Sequence, residues 1–139
     1  MSYNKNDNNK ILLVCLIAVS LAATILGPYK AHPAFATTVD VSIPKGASTK
    51  PMNGFDPKEI NVKVGDTVKW TNNDIALHTV TSGKDSSDPN KGKDFDSGLT
   101  FPDVLITTGR TFQHTFTTAG TFPYFCKVYP GMVGTVIVK

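Results

Sequence analysis

The chain has 139 residues, 40% of them hydrophobic and 18% charged, with a formal net charge of +3, which leaves room for one ordinary globular domain at most. The first 36 residues hold three lysines against one aspartate, so the other 103 carry eleven basic and ten acidic side chains, and no basic nucleic-acid footprint survives. A body of that size buries a real core but offers little space for a nucleotide-binding domain beside a substrate domain, which excludes most large enzymes.

Residues 1–10 are polar with two lysines, residues 11–26 are apolar except Ser20 and Thr24, and Gly27 and Pro28 close the run. This order reads as an export signal, and Ala34-Phe35-Ala36 places small residues where a signal peptidase inspects the chain, so cleavage is expected before Thr37. The competing reading is an uncleaved anchor. The ten residues from Leu26 to Ala36 are long for a cleavage region, but the apolar run is shorter than the roughly 20 residues that span a bilayer as a helix. Both readings put residues 37–139 outside the cytoplasm, secreted or held at the outer face of the cell membrane. Cys15 lies inside the apolar run and Cys126 near the C-terminus, so no disulfide between them is expected. A lone thiol in an oxidising compartment needs a reason, and a metal would supply one.

From Thr37 onward apolar residues alternate with period two and show no helical spacing, which predicts a mostly β fold. Val39, Val41 and Ile43 share one face of a strand over 37–43. Ile60, Val62 and Val64 share another, Gly65-Asp66 turns the chain, and Val68 and Trp70 resume the pattern, with Trp70 expected in the core. Further strands are predicted over 78–81, 111–116, 121–126 and 134–138. About seven short strands suit a Greek-key sandwich of two sheets, folding as a monomer without a disulfide. Between Gly83 and Gly109 the polar, Gly- and Pro-containing sequence reads as a surface excursion with one short strand or turn around Leu99–Ile106.

The chemistry concentrates in Tyr124-Phe125-Cys126-Lys127-Val128-Tyr129-Pro130-Gly131-Met132-Val133-Gly134. A thiol and a thioether six residues apart meet at one loop between two strands. His78, after the turn-like Asn72-Asn73-Asp74, begins a strand that reaches the same end of a sandwich. Cysteine, imidazole and methionine at one rim form a soft ligand set that favours copper over magnesium or calcium.

These residues resemble the cupredoxins, the small blue-copper electron carriers of the plastocyanin, pseudoazurin and amicyanin type. The resemblance runs from about Phe55 to Lys139. It includes Val64-Gly-Asp-Thr-Val-Lys-Trp-Thr-Asn72, His78-Thr79-Val80, Phe95-Asp-Ser-Gly-Leu99, Ala119-Gly-Thr-Phe122 and Gly134-Thr-Val-Ile-Val138. In the family a histidine follows the Asn/Asp turn and a later loop reads Cys-x-x-His-Pro-x-Met. The resemblance implies one copper ion, as Cu(I) or Cu(II), with His78 as first imidazole, Cys126 as thiolate and Met132 as weak axial thioether. Tyr129 stands where the family has its second histidine. A phenol, with an ordinary pKa of about 10, must lose its proton to ligate well, so three readings are open. Tyr129 binds as phenolate, or it stays protonated beside a His/Cys/Met site, or copper binding is lost.

His114 does not fill the vacancy on the expected geometry. A hairpin turn over 117–120 pairs Phe116 with Thr121 and sets His114 three residues, about 10 Å, from the level of Cys126. Plainer roles are open to the rest: Cys126 and Met132 as core filling, His78 as a satisfied turn histidine, Lys127 and the charges over 84–96 as solvated surface. No nucleophile–base pair is readable, so no enzyme is expected. The resemblance implies one-electron transfer between redox protein partners, with no small-molecule substrate. Cu(I) handling and a metal-free interaction module are the alternatives.

Overall fold

The computed structural model describes residues 35–99 and 108–139. The export segment, apart from its last two residues, and most of the strand or turn expected at Leu99–Ile106 lie outside them. Among the described residues the strands are β1 (Thr38–Ile43), β2 (Glu59–Val62), β3 (Thr67–Asn72), β4 (Thr81–Ser82), β5 (Thr111–Thr115), β6 (Gly120–Phe125) and β7 (Val133–Val138), with a single 3₁₀ turn at Pro51–Asn53. They form two sheets, ordered β1-β3-β5 and β2-β7-β6-β4. Each sheet is mixed: β1 runs parallel to β3 and β2 parallel to β7, while the remaining pairs are antiparallel.

The alternation of the sequence becomes the two inner faces. Val41 and Ile43 of β1, Ile60 and Val62 of β2, Val68 and Trp70 of β3, and Val136 and Val138 of β7 are all buried. Trp70 is the centre of this layer, with ring centroids 5.4 Å from Tyr124, 5.6 Å from Phe95 and 5.7 Å from Phe112. Truncating an aromatic so placed to alanine costs about 3–5 kcal/mol. Tyr124 lies opposite Gly134 in the β6–β7 ladder. A Cβ at Gly134 would stand 2.4 Å from the Tyr124 ring, so the close approach of ring to strand requires glycine there.

Three expectations are corrected. No β5–β6 hairpin exists, since β5 pairs with β3 in one sheet and β6 with β7 and β4 in the other. The chain over 117–119 crosses between layers, because Phe116 at the end of β5 turns into the core. The strand expected from His78 begins only at Thr81. The N–H of Thr79 goes to the Cys126 sulfur and that of Val80 to Ser97 Oγ, so side chains take the donors a ladder would use. The polar run after Gly83 is not all surface: Phe95 is buried on Trp70, and Ser97 is buried with it.

Candidate metal centre

Asn72 ends β3 with its side chain inward. Its Oδ1 accepts the Asp74 N–H at 2.9 Å and its Nδ2 donates to the Ala76 carbonyl at 2.8 Å, which folds residues 73–76 into a tight turn. The turn delivers His78 and Thr79, both fully buried, to the interior. His78 Nδ1 lies 3.9 Å from Cys126 Sγ. On the same sulfur falls the Thr79 N–H, at 3.3 Å. Thr79 Oγ1 in turn accepts the N–H of Lys127 at 2.8 Å, so consecutive residues of each chain segment grip the other.

The loop after Cys126 closes on itself. Cys126 N–H donates to the Met132 carbonyl at 3.1 Å and Met132 N–H donates to the Tyr129 carbonyl at 2.9 Å. Met132 is fully buried. Behind it lies Gly54, where a Cβ would stand 2.3 Å from Met132 Cγ. Tyr129, half-buried, sets its ring against His78 with centroids 5.1 Å apart. Thus His78 and Cys126 meet directly, Tyr129 borders the imidazole, and Met132 is tied by backbone to both Cys126 and Tyr129. His114 is elsewhere, on β5 between the rings of Phe95 (5.0 Å) and Phe116 (4.8 Å). Lys127 is not simply solvated, since its ammonium pairs with the Asp96 carboxylate.

Burial alone would push the Cys126 thiol up, yet the His78 ring and the N–H of Thr79 hold it below the ordinary thiol value. Burial works against a charged His78 too, but Cys126 and Asp74 raise its pKa. Both shifts run in one direction, toward a thiolate beside a protonated imidazole. Where a cation replaces that proton, the same geometry offers it a thiolate and an imidazole nitrogen, out of water. Among the described residues no three His, Cys, Asp or Glu side chains converge as a metal cluster. A metal at this centre therefore needs donors beyond His78 and Cys126, and the loop that begins at Cys126 carries two more candidates, the thioether of Met132 and the phenol of Tyr129, whose ring borders His78. This donor chemistry fits copper.

The residue that sequence reasoning passed over is Asp74. Its carboxylate, fully buried, accepts from His78 Nε2 at 3.1 Å and from three backbone N–H groups. The available signal was its position four residues before the histidine, read only as part of a turn.

Two mixed sheets with a histidine and a cysteine facing each other at one end define an all-β, cupredoxin-like protein. Residues 40–139 match the family described as copper binding proteins, plastocyanin/azurin family, and the chain belongs to that family. It is similar to plastocyanin of Nostoc punctiforme, 31% identical over 100 residues, covering 68% of this chain and 71% of the relative. Plastocyanin of Scenedesmus fuscus is also 31% identical, over 72% of this chain and 100% of its own. Among solved structures, a purple cupredoxin from Nitrosopumilus maritimus superposes with a TM-score of 0.55 at 30% identity, covering 73% of this chain and 99% of that one. Members of the family are small electron carriers and not catalysts, typically exported, typically holding a single copper ion and exchanging electrons with partner proteins. Membership supports a redox role here, and this chain is not an enzyme.

Proposed function

We propose that this protein is an exported one-electron carrier whose single copper ion is held by the Cys126 thiolate, His78 Nδ1 and the Met132 thioether. Tyr129 occupies the family's second histidine position as a protonated neighbour. Residues 37–139 are the copper-carrying domain, acting as a monomer on redox proteins, and residues 1–36 export or anchor it. The observation that supports this reading best is the 3.9 Å approach of two fully buried groups, Cys126 Sγ and His78 Nδ1, with a backbone N–H aimed at the sulfur. The copper ion supplies the change of oxidation state. The chain supplies rigidity: the Thr79 and Lys127 hydrogen bonds and the closed 126–132 loop keep the donors in place in both states, and burial keeps water from the thiolate.

A second reading, Cu(I) storage or delivery, is favoured by one observation. Of the two described histidines only His78 reaches the centre, and a thiolate, a thioether and one imidazole suit the softer ion. Titration of the purified protein with Cu(II) and with Cu(I) separates the two. An intense visible thiolate-to-copper band supports the carrier. Uptake of Cu(I) alone supports handling, and uptake of neither overturns both in favour of a metal-free module.

A further inference from the structure

We propose that Asp74 is a positioning residue of this centre: its carboxylate keeps the proton of the neutral His78 imidazole on Nε2 and so reserves Nδ1, the nitrogen facing Cys126, for the metal. The inference deepens the copper reading above and rests on it only for the identity of the ion.

A neutral imidazole has one N–H and one lone pair, and which nitrogen carries which is decided by the partner each one meets. Nε2 meets Asp74 Oδ2 at 3.1 Å. The other contacts of that carboxylate are donors as well: Gly46 N at 3.0 Å and Ile75 N at 2.9 Å on Oδ1, Ser48 N at 2.9 Å on Oδ2, and the Ser48 hydroxyl. An ionised carboxylate has only accepting capacity, and at 3.1 Å it is closer to the ring than the Cys126 sulfur, which faces Nδ1 from 3.9 Å, so the geometry favours the proton on Nε2. The lone pair is then on Nδ1, directed toward the buried sulfur 3.9 Å away.

The carboxylate is itself fixed from outside the ligand loops. Gly46 and Ser48, in the connection from β1 to β2, lie 28 and 26 residues upstream of Asp74. The orientation of His78 is thus set by a third segment of chain. A carboxylate behind a ligating imidazole also raises the basicity of that ligand, which favours the more highly charged ion, Cu(II), over Cu(I). The plainer alternative makes Asp74 only a tie between two loops. A tie needs acceptors for Gly46, Ser48 and Ile75 and is indifferent to the His78 tautomer. Positioning requires an anion opposite Nε2.

The experiment is nitrogen-15 NMR of the full chain, metal-free, at a pH where His78 is neutral. The expected result is the Nε2–H tautomer, with that proton exchanging more slowly with solvent than the ring proton of half-buried His114. A dominant Nδ1–H tautomer, or exchange as fast as that of His114, overturns the proposal. Asp74→Asn is the companion variant: an NH₂ in place of Oδ2 faces Nε2 and the Ser48 N–H, whereas an NH₂ in place of Oδ1 faces two backbone donors, Gly46 and Ile75, so the first orientation is expected. The variant should shift the proton to Nδ1 and lower the ratio of Cu(II) to Cu(I) affinity at least tenfold, a rise of about 59 mV in a one-electron potential. A folded Asp74→Asn protein with unchanged tautomer and unchanged ratio also overturns it. The tautomer of the unsubstituted protein decides the matter if the variant does not fold. A chain that takes up no copper would sink the carrier reading and leave the tautomer measurement standing.

Discussion

The two ends of β3 are each closed by a buried aspartate. At the start, Asp66 accepts the N–H of Thr37 and of Lys63, both at 2.8 Å, which fastens the beginning of β1 and the Gly65 turn, where φ is +97°. Just beyond the end, Asp74 accepts the N–H of Gly46 and Ser48 in the same manner and adds an imidazole. Six residues of strand, about 20 Å, separate the two clamps. The device is the same: a carboxylate gathers backbone donors that a loop would otherwise leave unpaired. The one added partner turns a fold-closing clamp into part of a chemical site. Stability and function are therefore carried by one motif, and substitution at each end tells them apart.

The largest effect is expected from Cys126→Ser. It should abolish any visible copper band and leave the Asp66 end, and the β circular dichroism, unchanged; equal copper affinity in the variant would refute the site. Next is Tyr129→His, which places a second imidazole beside the thiolate. An intense band in the red is expected with Cu(II), as the family pattern implies, and its absence in a folded variant would count against the loop arrangement argued above. Gly54→Ala comes third, because its Cβ has no space against Met132. Overpacking of this kind costs about 1–3 kcal/mol, and the displaced thioether should move the copper potential, whereas Gly65→Ala, with open space around its Cβ, should act through backbone strain alone and leave the potential where it was.

The smallest effects separate the clamps directly. The N–H groups of Thr37 and Lys63 hold the Asp66 carboxyl below its ordinary 3.8. Burial pushes Asp74 up, but Gly46, Ser48 and His78 overcome it and hold it well below the same value. A carboxyl whose folded pKa is depressed contributes stability above its unfolded value and loses it as pH falls through the folded one. Acid unfolding should therefore show both contributions intact at pH 6 and declining below about pH 4. Asp66→Asn and Asp74→Asn should each flatten that decline, Asp74→Asn over the wider range. Identical acid profiles for the two variants would remove the distinction.

Much of the sandwich was legible because burial writes alternation into single strands. Val39 to Ile43, Ile60 to Val64 and Val68 to Trp70 each state which face is inside without reference to the rest of the chain. Sheet membership is not written that way. The turn after Phe116 is short enough for a hairpin, and only the competing partners, β3 for one strand and β7 for the next, decide that it crosses instead. Phe95 was hidden for a similar reason, being one apolar residue in a polar run whose burial depends on Trp70, 25 positions earlier. The centre was legible as residue types, since thiol, thioether and imidazole are scarce and their loop spacing is short. The geometry that prepares them was not. Thr79 and Cys126 are 47 residues apart, and three of the donors that fix Asp74 are backbone N–H groups, which every sequence possesses and none advertises.

The closed loop from Cys126 to Met132 has a consequence for how such a protein changes over evolutionary time. Its ends are joined by Cys126 N–H to the Met132 carbonyl, and its middle is joined to Met132 through the carbonyl of residue 129, not its side chain. The frame is thus blind to what residue 129 carries. The backbone of Cys126 and Met132 is held alike whichever side chain stands between them, so residue 129 can be exchanged by a single codon without a compensating change in the frame of the loop.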